Sequence, residues 1–414
     1  MKLDLRLLVP GASGDTVLLD AGGGLPQATV DGDEDVAAIV AVDELLRSSW
    51  ALPSAVLETH PRWKDAPEGG PIPTLVTTEA APVDWRPPDG LAFGPIPVDL
   101  PELPVAIRPR AVELAEELRS GAPPPPLRPR WARPGWNARA VAWMRRAAAE
   151  AGRPLIGEPR PFYLRGISAL LRAPTADGDL FLKAVFPVFH AEPVITRVLA
   201  DRLPDDVPPV LAIEPEEGWL LVGDIGSRWV LELPEAERPA ALAEGARTLV
   251  EIQRAMAGQP HDLAALEAAG SPHRPLDGIP AAFAAAIGVD GFGAGEEPVP
   301  EADRDIAIAR VRAAVERLAR LGLPESLIHG DFHSGNAARV DDGRIVIIDW
   351  SDAAIGSPLV DLVTWTSWSG ERGEEIDAAT DAWIDAWSPV VPAARLRDHV
   401  ADILVAGAAY QVIS

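Results

Sequence analysis

Residues 329–336 read HGDFHSGN, and thirteen residues further on the apolar run IVIIDW, residues 345–350, delivers Asp349. This spacing sets His329, Asp331, Asn336 and Asp349 in the order that kinase-type phosphoryl transfer requires. One carboxylate, Asp331, faces a hydroxyl; the carboxamide of Asn336 and the carboxylate of Asp349 are hard oxygen ligands of the kind that hold magnesium on nucleotide phosphates. Such a reaction asks little covalent chemistry of the protein, because positioning and charge neutralisation supply most of the acceleration. The chain has only seven His and two Asn, Asn137 and Asn336, so a chance H-x-D-x4-N is rare. The bland readings are a turn whose Asp and Asn cap backbone groups, or a His satisfied in a core. Both leave the apolar strand ending in Asp349 as a coincidence.

The segment resembles the catalytic loop of the aminoglycoside phosphotransferase and choline kinase family, relatives of protein kinases that phosphorylate small molecules. The family's H-G-D-x-H-x-x-N loop is matched at His329, Gly330, Asp331, His333 and Asn336. Its magnesium-binding Asp corresponds to Asp349, followed here by Trp350. The resemblance runs over residues 135–414 and is strongest between 325 and 362. It implies an α+β protein with a two-lobed protein-kinase-like fold, a small β-rich amino-terminal lobe and a mainly helical carboxy-terminal lobe. It also implies ATP as donor, with GTP left open, Mg2+ as cofactor, and a small-molecule hydroxyl as acceptor. An aminoglycoside or amino sugar is the leading acceptor class, with antibiotic resistance as the attached role; a simple sugar or an amino alcohol such as choline comes second. A catalytically silent nucleotide-binding regulator is the reading from another class, and the intact Asp331, Asn336 and Asp349 set argues against it. A protein kinase is disfavoured because no Ala-Pro-Glu follows Asp349.

Bulk properties agree with an ordinary globular protein. The 414 residues are 47% hydrophobic and 24% charged, enough for two or three domains with a large core. A net charge of −25 argues against nucleic acid or an anionic membrane as partner, and no protein partner is indicated. The absence of Cys excludes disulfides, thiolate metal sites and thiol nucleophiles. No apolar run approaches the ~20 residues that span a bilayer. The opening MKLDLRLLVPGASGD carries Asp4 inside its apolar stretch, unlike a signal-peptide core. A cytoplasmic location is therefore expected.

Four segments are expected along the chain. Residues 1–122 form a small α+β domain, with LDLRLLV, TVLLDA and PTLVTTEA as strands and DVAAIVAVDELLRSS and RAVELAEELRSG as helices. In the first helix Val36, Ile39, Val40 and Leu46 make an apolar stripe that Asp43 interrupts. The strand–helix–strand order resembles a degenerate Nudix fold; the Glu-rich box of that family is absent from residues 23–50, so a structural or capping role is expected. Residues 123–134 are a linker stiffened by Pro123 to Pro126. Residues 135–226 hold a linking helix, with Trp136, Ala140, Trp143 and Met144 as its packing stripe, and the small lobe. There PFYLRGISALLRA and DLFLKAVF form a hairpin about Asp177-Gly178, and a helix opens at Pro193. Residues 227–414 form the helical lobe with the catalytic loop and acceptor site. The closing segment ADILVAGAAYQVIS lacks a polar cap, as expected if the natural chain continues past Ser414.

Supporting residues follow. Lys183, one of three lysines, lies in the apolar run LFLKAVF, where an ammonium needs a partner. Nucleotide phosphates suit it, with Glu192 steadying its stem; an edge-strand Lys facing water and an acidic group favouring a helix N-terminus are the plain alternatives. Gly166 and Ser168 fall where a phosphate-covering loop belongs, although no G-x-G-x-x-G is present. Val222, Gly223 and Asp224 are placed to offer backbone groups to adenine. His329 is expected to brace the loop, His333 to touch phosphate or substrate or to pack, and Asp361 to begin a helix and tether the loop. For the acceptor, Glu371, Glu374, Glu375, Asp377 and Asp381 line a pocket or a solvated helix face. Trp365, Trp368, Trp383 and Trp387 stack on sugar rings or join Ile376 and Ile384 in the core.

Overall fold

A computed structural model describes residues 2–31, 36–62, 64, 70–164, 166–226, 228–288, 300–367 and 374–414. Contacts divide the chain into two compact units, Met1–Phe186 with Trp219–Val222, and Pro187–Gly218 with Gly223–Ser414.

The first unit opens with β1 (Lys2–Leu8), β2 (Thr16–Asp20), β3 (Gln27–Asp31), α1 (Val36–Glu44), β4 (Val56–Pro61), β5 (Ile72–Thr78), β6 (Leu91–Pro95) and α2 (Arg108–Ser120). Strand order is β3-β1-β5-β4, and β1 runs parallel to β5 with Leu8 opposite Thr77. Side chains alternate across this sheet. Leu3, Leu5 and Leu7 pack with Ile39, Val42 and Leu46, while Leu8 and Leu75 pack with Ala111, Leu114 and Ala115 on α2. One sheet thus buries both faces under a helix. Ile39 and Val42 of α1 and Leu46 just beyond it are buried, Val40 is 44% exposed and does not belong to the stripe, and the side chain of Val36 lies outside the described residues. The buried side chain that sequence periodicity treats as an interruption is Asp43. Arg47 and Arg160 each donate to it at 2.9 Å, which compensates its burial.

Residues 123–134 pack back onto the same unit: Arg128 pairs with Glu117 at 2.7 Å and Trp131 is buried. In α3 (Trp136–Glu150) the stripe Trp136, Ala140, Trp143 and Met144 is buried as its spacing predicts. Trp136 and Trp143 meet Trp219 with ring centroids 6.2 and 5.4 Å apart. The run 161–173, expected as one strand, is two. β7 (Arg160–Leu164) pairs antiparallel with β8 (Ser168–Thr175), which pairs with β9 (Gly178–Val185). Gly178, at φ +100°, takes the backbone conformation that the tight turn after Thr175 demands.

The second unit begins with α4 (Glu192–Arg202) and β10 (Val210–Glu214). β11 (Trp219–Gly223), whose residues through Val222 belong to the first unit, lies beside β9 within that unit. There follow β12 (Arg228–Trp229), α5 (Arg238–Ala257), α6 (Pro260–Ala268), β13 (His273–Arg274), α7 (Ile279–Ile287), α8 (Glu301–Leu318) and β14 (Ser326–Ile328). The chain then forms β15 (Ala337–Arg339), β16 (Ile345–Ile347), β17 (Ala354–Gly356), α9 (Leu362–Ser367), α10 (Glu374–Trp387), α11 (Ala393–Arg397) and α12 (Val400–Ile413). Two small sheets, β12-β15-β16 and β13-β17-β14, sit among the helices and carry the loop at 329–336 between β14 and β15. The α+β class and the mainly helical character of the carboxy-terminal part are as expected. Among the described residues no helix is long and apolar enough to cross a membrane.

Asp43→Ala is expected to destabilise the chain by about 2 kcal/mol, since it removes two charge-assisted hydrogen bonds from a buried acceptor. Urea unfolding measures this, and a change within about 0.3 kcal/mol would show that the pairs with Arg47 and Arg160 hold nothing in place.

Candidate active site

The loop leaves β14 through a backbone path that only glycine can follow. Gly330 has φ +84°, and a Cβ there would lie 2.3 Å from the Asp352 carbonyl oxygen. Its neighbours are fixed from below by Asp361, which closes the short 3-10 turn Pro358–Asp361 ahead of α9. The Asp361 carboxylate is buried and accepts the backbone N–H of His329 at 2.8 Å and of Gly330 at 2.9 Å. The Gln253 side chain on α5 donates to it at 2.8 Å. Burial pushes its carboxyl up to about 6, against the pull of these three donors. From α12, Gln411 donates to the Gly330 carbonyl at 2.6 Å. Beneath the loop Phe332 stacks on Trp365 at 4.0 Å, and α5 comes close enough that a Cβ at Gly245 would lie 2.8 Å from the Trp365 ring.

His329 follows β14 directly. Its ring is buried; Nε2 lies 2.9 Å from the Ile348 carbonyl, which can only accept, so Nε2 carries the proton. Nδ1 is then the acceptor for the Asp331 N–H at 3.3 Å. Burial pushes the imidazole down to about 4, so it is neutral at ordinary pH. This ring ties the loop to the strand that delivers Asp349.

Asn336 makes the second tie. Its side-chain nitrogen donates to the Asp331 carbonyl at 2.9 Å and approaches Asp331 Oδ2 at 3.5 Å. Its backbone carbonyl accepts the Ile348 N–H at 3.0 Å. His333 accepts the Gly335 N–H through Nδ1 at 3.1 Å and brings Nε2 within 3.5 Å of Asp331 Oδ2. Asp349 follows Ile348 at φ +61°, a region that residues with a β-carbon rarely occupy and that clusters at functional sites. The Ser351 hydroxyl donates to Asp349 Oδ1 at 2.6 Å. One linked network therefore contains His329, Asp331, His333, Asn336, Asp349 and Asp361. Gln253, Gln411 and Ser351 are added to it by the structure. A buried Gln on the apolar face of α5 was the one available sign of the first; Gln411 and Ser351 left none.

The donor set fits magnesium. With its nitrogen committed to Asp331, Asn336 keeps a carboxamide oxygen that accepts no hydrogen bond among the described residues. That oxygen and the Asp349 carboxylate are hard ligands, and so few of them suit an ion that retains water and phosphate oxygens. Among the described residues no three His, Cys, Asp or Glu gather into a metal site.

The remaining expected residues are distributed over both units. In the first, Lys183 is half-buried on β9 opposite Leu170, Gly166 lies in the β7–β8 turn, Ser168 is buried at the start of β8, and Val222 belongs to β11. In the second, Glu192 is buried and is the first residue of α4, not its cap; Ala191 precedes it and Pro193 sits in the first turn, where a missing N–H is harmless. The Gly223 N–H is spent on the Pro209 carbonyl at 2.9 Å, and exposed Asp224 caps the Gly226 N–H at 2.9 Å. Trp365, Trp383 and Trp387 are core residues and offer no face to a sugar. Asp377 and Asp381 are exposed on α10, with Asp381 3.2 Å from Arg397. Trp368, Glu371 and the side chains of Glu374 and Glu375 lie outside the described residues.

Because folding holds His329 neutral, the unfolded chain takes up this proton first, and its contribution to stability is lost as pH falls from about 6.5 toward about 4. In His329→Gln, which keeps a donor toward Ile348, that loss disappears. The unfolding free energy of the variant relative to the wild type is expected to rise by up to about 3 kcal/mol over this window. A pH-independent difference in urea unfolding would refute a neutral, buried His329.

The pattern of the phosphotransferase enzyme family (APH) matches residues 170–394. No curated protein matches the chain. Among solved structures, a macrolide 2'-phosphotransferase from Brachybacterium faecium is 17% identical, covering 64% of this chain and 88% of its own at a TM-score of 0.45. A choline/ethanolamine kinase family protein from Mesorhizobium loti is 17% identical over 64% of this chain and 83% of its own, with a TM-score of 0.44. Plasmodium vivax ethanolamine kinase is 13% identical over 61% and 74%, with a TM-score of 0.46. At this depth of likeness the three carry no weight on nucleotide or acceptor.

Proposed function

The chain belongs to the phosphotransferase enzyme family, and on that premise we propose that it moves the γ-phosphate of ATP to a hydroxyl of a small molecule. The observation that carries this reading is the Asp331–Asn336 pair: a carboxylate whose side chain is 36% exposed, beside a carboxamide with its oxygen unspent. Asp331 accepts or orients the proton of the acceptor hydroxyl. His333 Nε2 and Asn336 Nδ2, both near Oδ2, fix the orientation of that carboxylate. A carboxylate in this position suits a loose transition state in which the proton leaves late.

Asn336 and Asp349 would hold the magnesium. When bound, the ion neutralises charge on the phosphates and fixes them for in-line transfer. The left-handed backbone at Asp349 and the bond from Ser351 set the direction of that carboxylate in advance. In this reading Lys183 neutralises phosphate charge, Glu192 steadies it, and Gly166 and Ser168 border the phosphates. The backbone of Val222, Gly223 and Asp224 meets the adenine through groups other than the Gly223 N–H, which is committed to the Pro209 carbonyl. We assign the acceptor to the aminoglycoside or amino-sugar class, on the strength of the net charge of −25 and the exposed Asp377 and Asp381 that follow the loop. Choline or a simple sugar is the alternative.

Asp331→Ala is expected to lower phosphoryl transfer by about a thousandfold while leaving magnesium-dependent nucleotide binding near the wild-type value. Asp349→Ala is expected to weaken that binding. ATP consumption against aminoglycosides, hexosamines, disaccharides and choline identifies the acceptor. Normal turnover in Asp331→Ala removes the assigned base, and nucleotide binding with no acceptor stimulation favours a silent regulator.

A further inference from the structure

The first unit holds a cavity of about 560 Å³ within its own fold, inside the roughly 300–1,000 Å³ common among small-molecule sites. Its floor is formed at the carboxyl ends of the parallel strands β1 and β5, by Leu8 and Thr77. The crevice beyond such strand ends is where open α/β sheets place ligands. One wall is the last turns of α2, with Leu114 and Leu118. Another is the Pro-rich stretch read from sequence as a linker, with Pro124, Ala132 and Pro134. A proline-rich wall is stiff, and this one is pinned by the Arg128–Glu117 pair, whose side chains are 7% and 18% exposed.

A separate feature of the sheet points at the same place. The β4–β5 ladder shifts register between Val56 and Glu58, so that Leu57 is an extra residue there. Successive strand residues normally face opposite sides of a sheet. With the bulge, Leu57 and Glu58 both line the cavity. Bulges of this kind re-aim side chains beside binding sites.

The charges decide the ligand class. Glu58 is matched by Arg110 at 3.1 Å, and Glu117 by Arg128 at 2.7 Å. Arg119 donates to the Pro97 carbonyl at 2.7 Å and pairs with Glu116. Asp15 is exposed and takes the Ser13 hydroxyl. No full charge on the inner walls is left over for an ion, and the carboxylates repel anions. What remains is apolar surface and the Thr77 hydroxyl, which sits on the α2 face two residues after Leu75 and makes no hydrogen bond among the described residues.

We propose that the first unit carries a binding site of its own for an uncharged, apolar-bodied small molecule that presents a hydrogen-bond acceptor to Thr77. This site is independent of the phosphotransferase reading. Nile red, a neutral dye with a carbonyl, is the probe. Titrated with the full chain, its emission is expected to rise saturably with one site per chain. Leu118→Trp and Ala122→Trp, at a half-buried and an exposed position of the lining, fill the space and are expected to weaken binding at least tenfold. Thr77→Val is expected to weaken it about threefold to tenfold. Magnesium with ATP is expected to leave the signal unchanged. Unsaturable emission, equal binding by wild type and Ala122→Trp, or displacement by magnesium-ATP each overturns the proposal. Should Leu118→Trp fail to fold, Ala122→Trp decides alone.

Discussion

Everything at the candidate active site is suspended from one buried carboxylate. Asp361 is buried and receives three N–H donors, two from the backbone of His329 and Gly330 and one from Gln253. A carboxylate in such a place is costly unless its lone pairs are filled. The loop therefore has a strong reason to keep those two amides where they are. Fixing consecutive amides fixes the plane of the peptide between them, and that plane determines where Asp331 begins. A catalytic acid–base group displaced by about 1 Å can lose on the order of a hundredfold in rate. Asp361 touches no reacting group in this scheme; it acts through the backbone.

Two further ties make the arrangement a unit. His329 joins the loop to the carbonyl of Ile348, and the Asn336 carbonyl takes the N–H of the same residue. Both bonds converge on the position just before Asp349, where the backbone turns left-handed. That conformation is unfavourable for a residue with a side chain and persists only when its surroundings over-determine it. Here they do: one neighbour is held from two sides, and the carboxylate itself is held by Ser351. The strain at Asp349 and the order of the loop thus have a common origin.

Much of this was legible in the sequence, for a physical reason. Residues on one short loop keep a fixed spacing, so HGDFHSGN and the strand ending in Asp349 marked in advance the segments that folding joins into one network. The stripe of α3 was legible too, because apolar packing at helical period leaves a plain signature. What escaped were groups defined by a distant partner. Asp43 looked like a defect in α1 until Arg160, more than a hundred residues away, supplied its charge. Gln253 and Gln411 are ordinary residues whose meaning lies in carboxylates and carbonyls brought to them by folding. Tryptophans after the loop offered two readings with equal pattern, and only burial separates a core ring from a ligand platform. The run through Gly166 hid a turn because glycine also occurs inside strands.

Amide hydrogen exchange at His329 and Gly330 tests the suspension of the loop most directly, comparing the wild type with Asp361→Asn. The account predicts strong protection of both amides in the wild type. In the variant, where an amide NH2 replaces one accepting oxygen, that protection should fall sharply while amides of α5 remain protected. Equal protection of His329 and Gly330 in the two proteins would contradict it, since the loop would then be held by something other than this carboxylate.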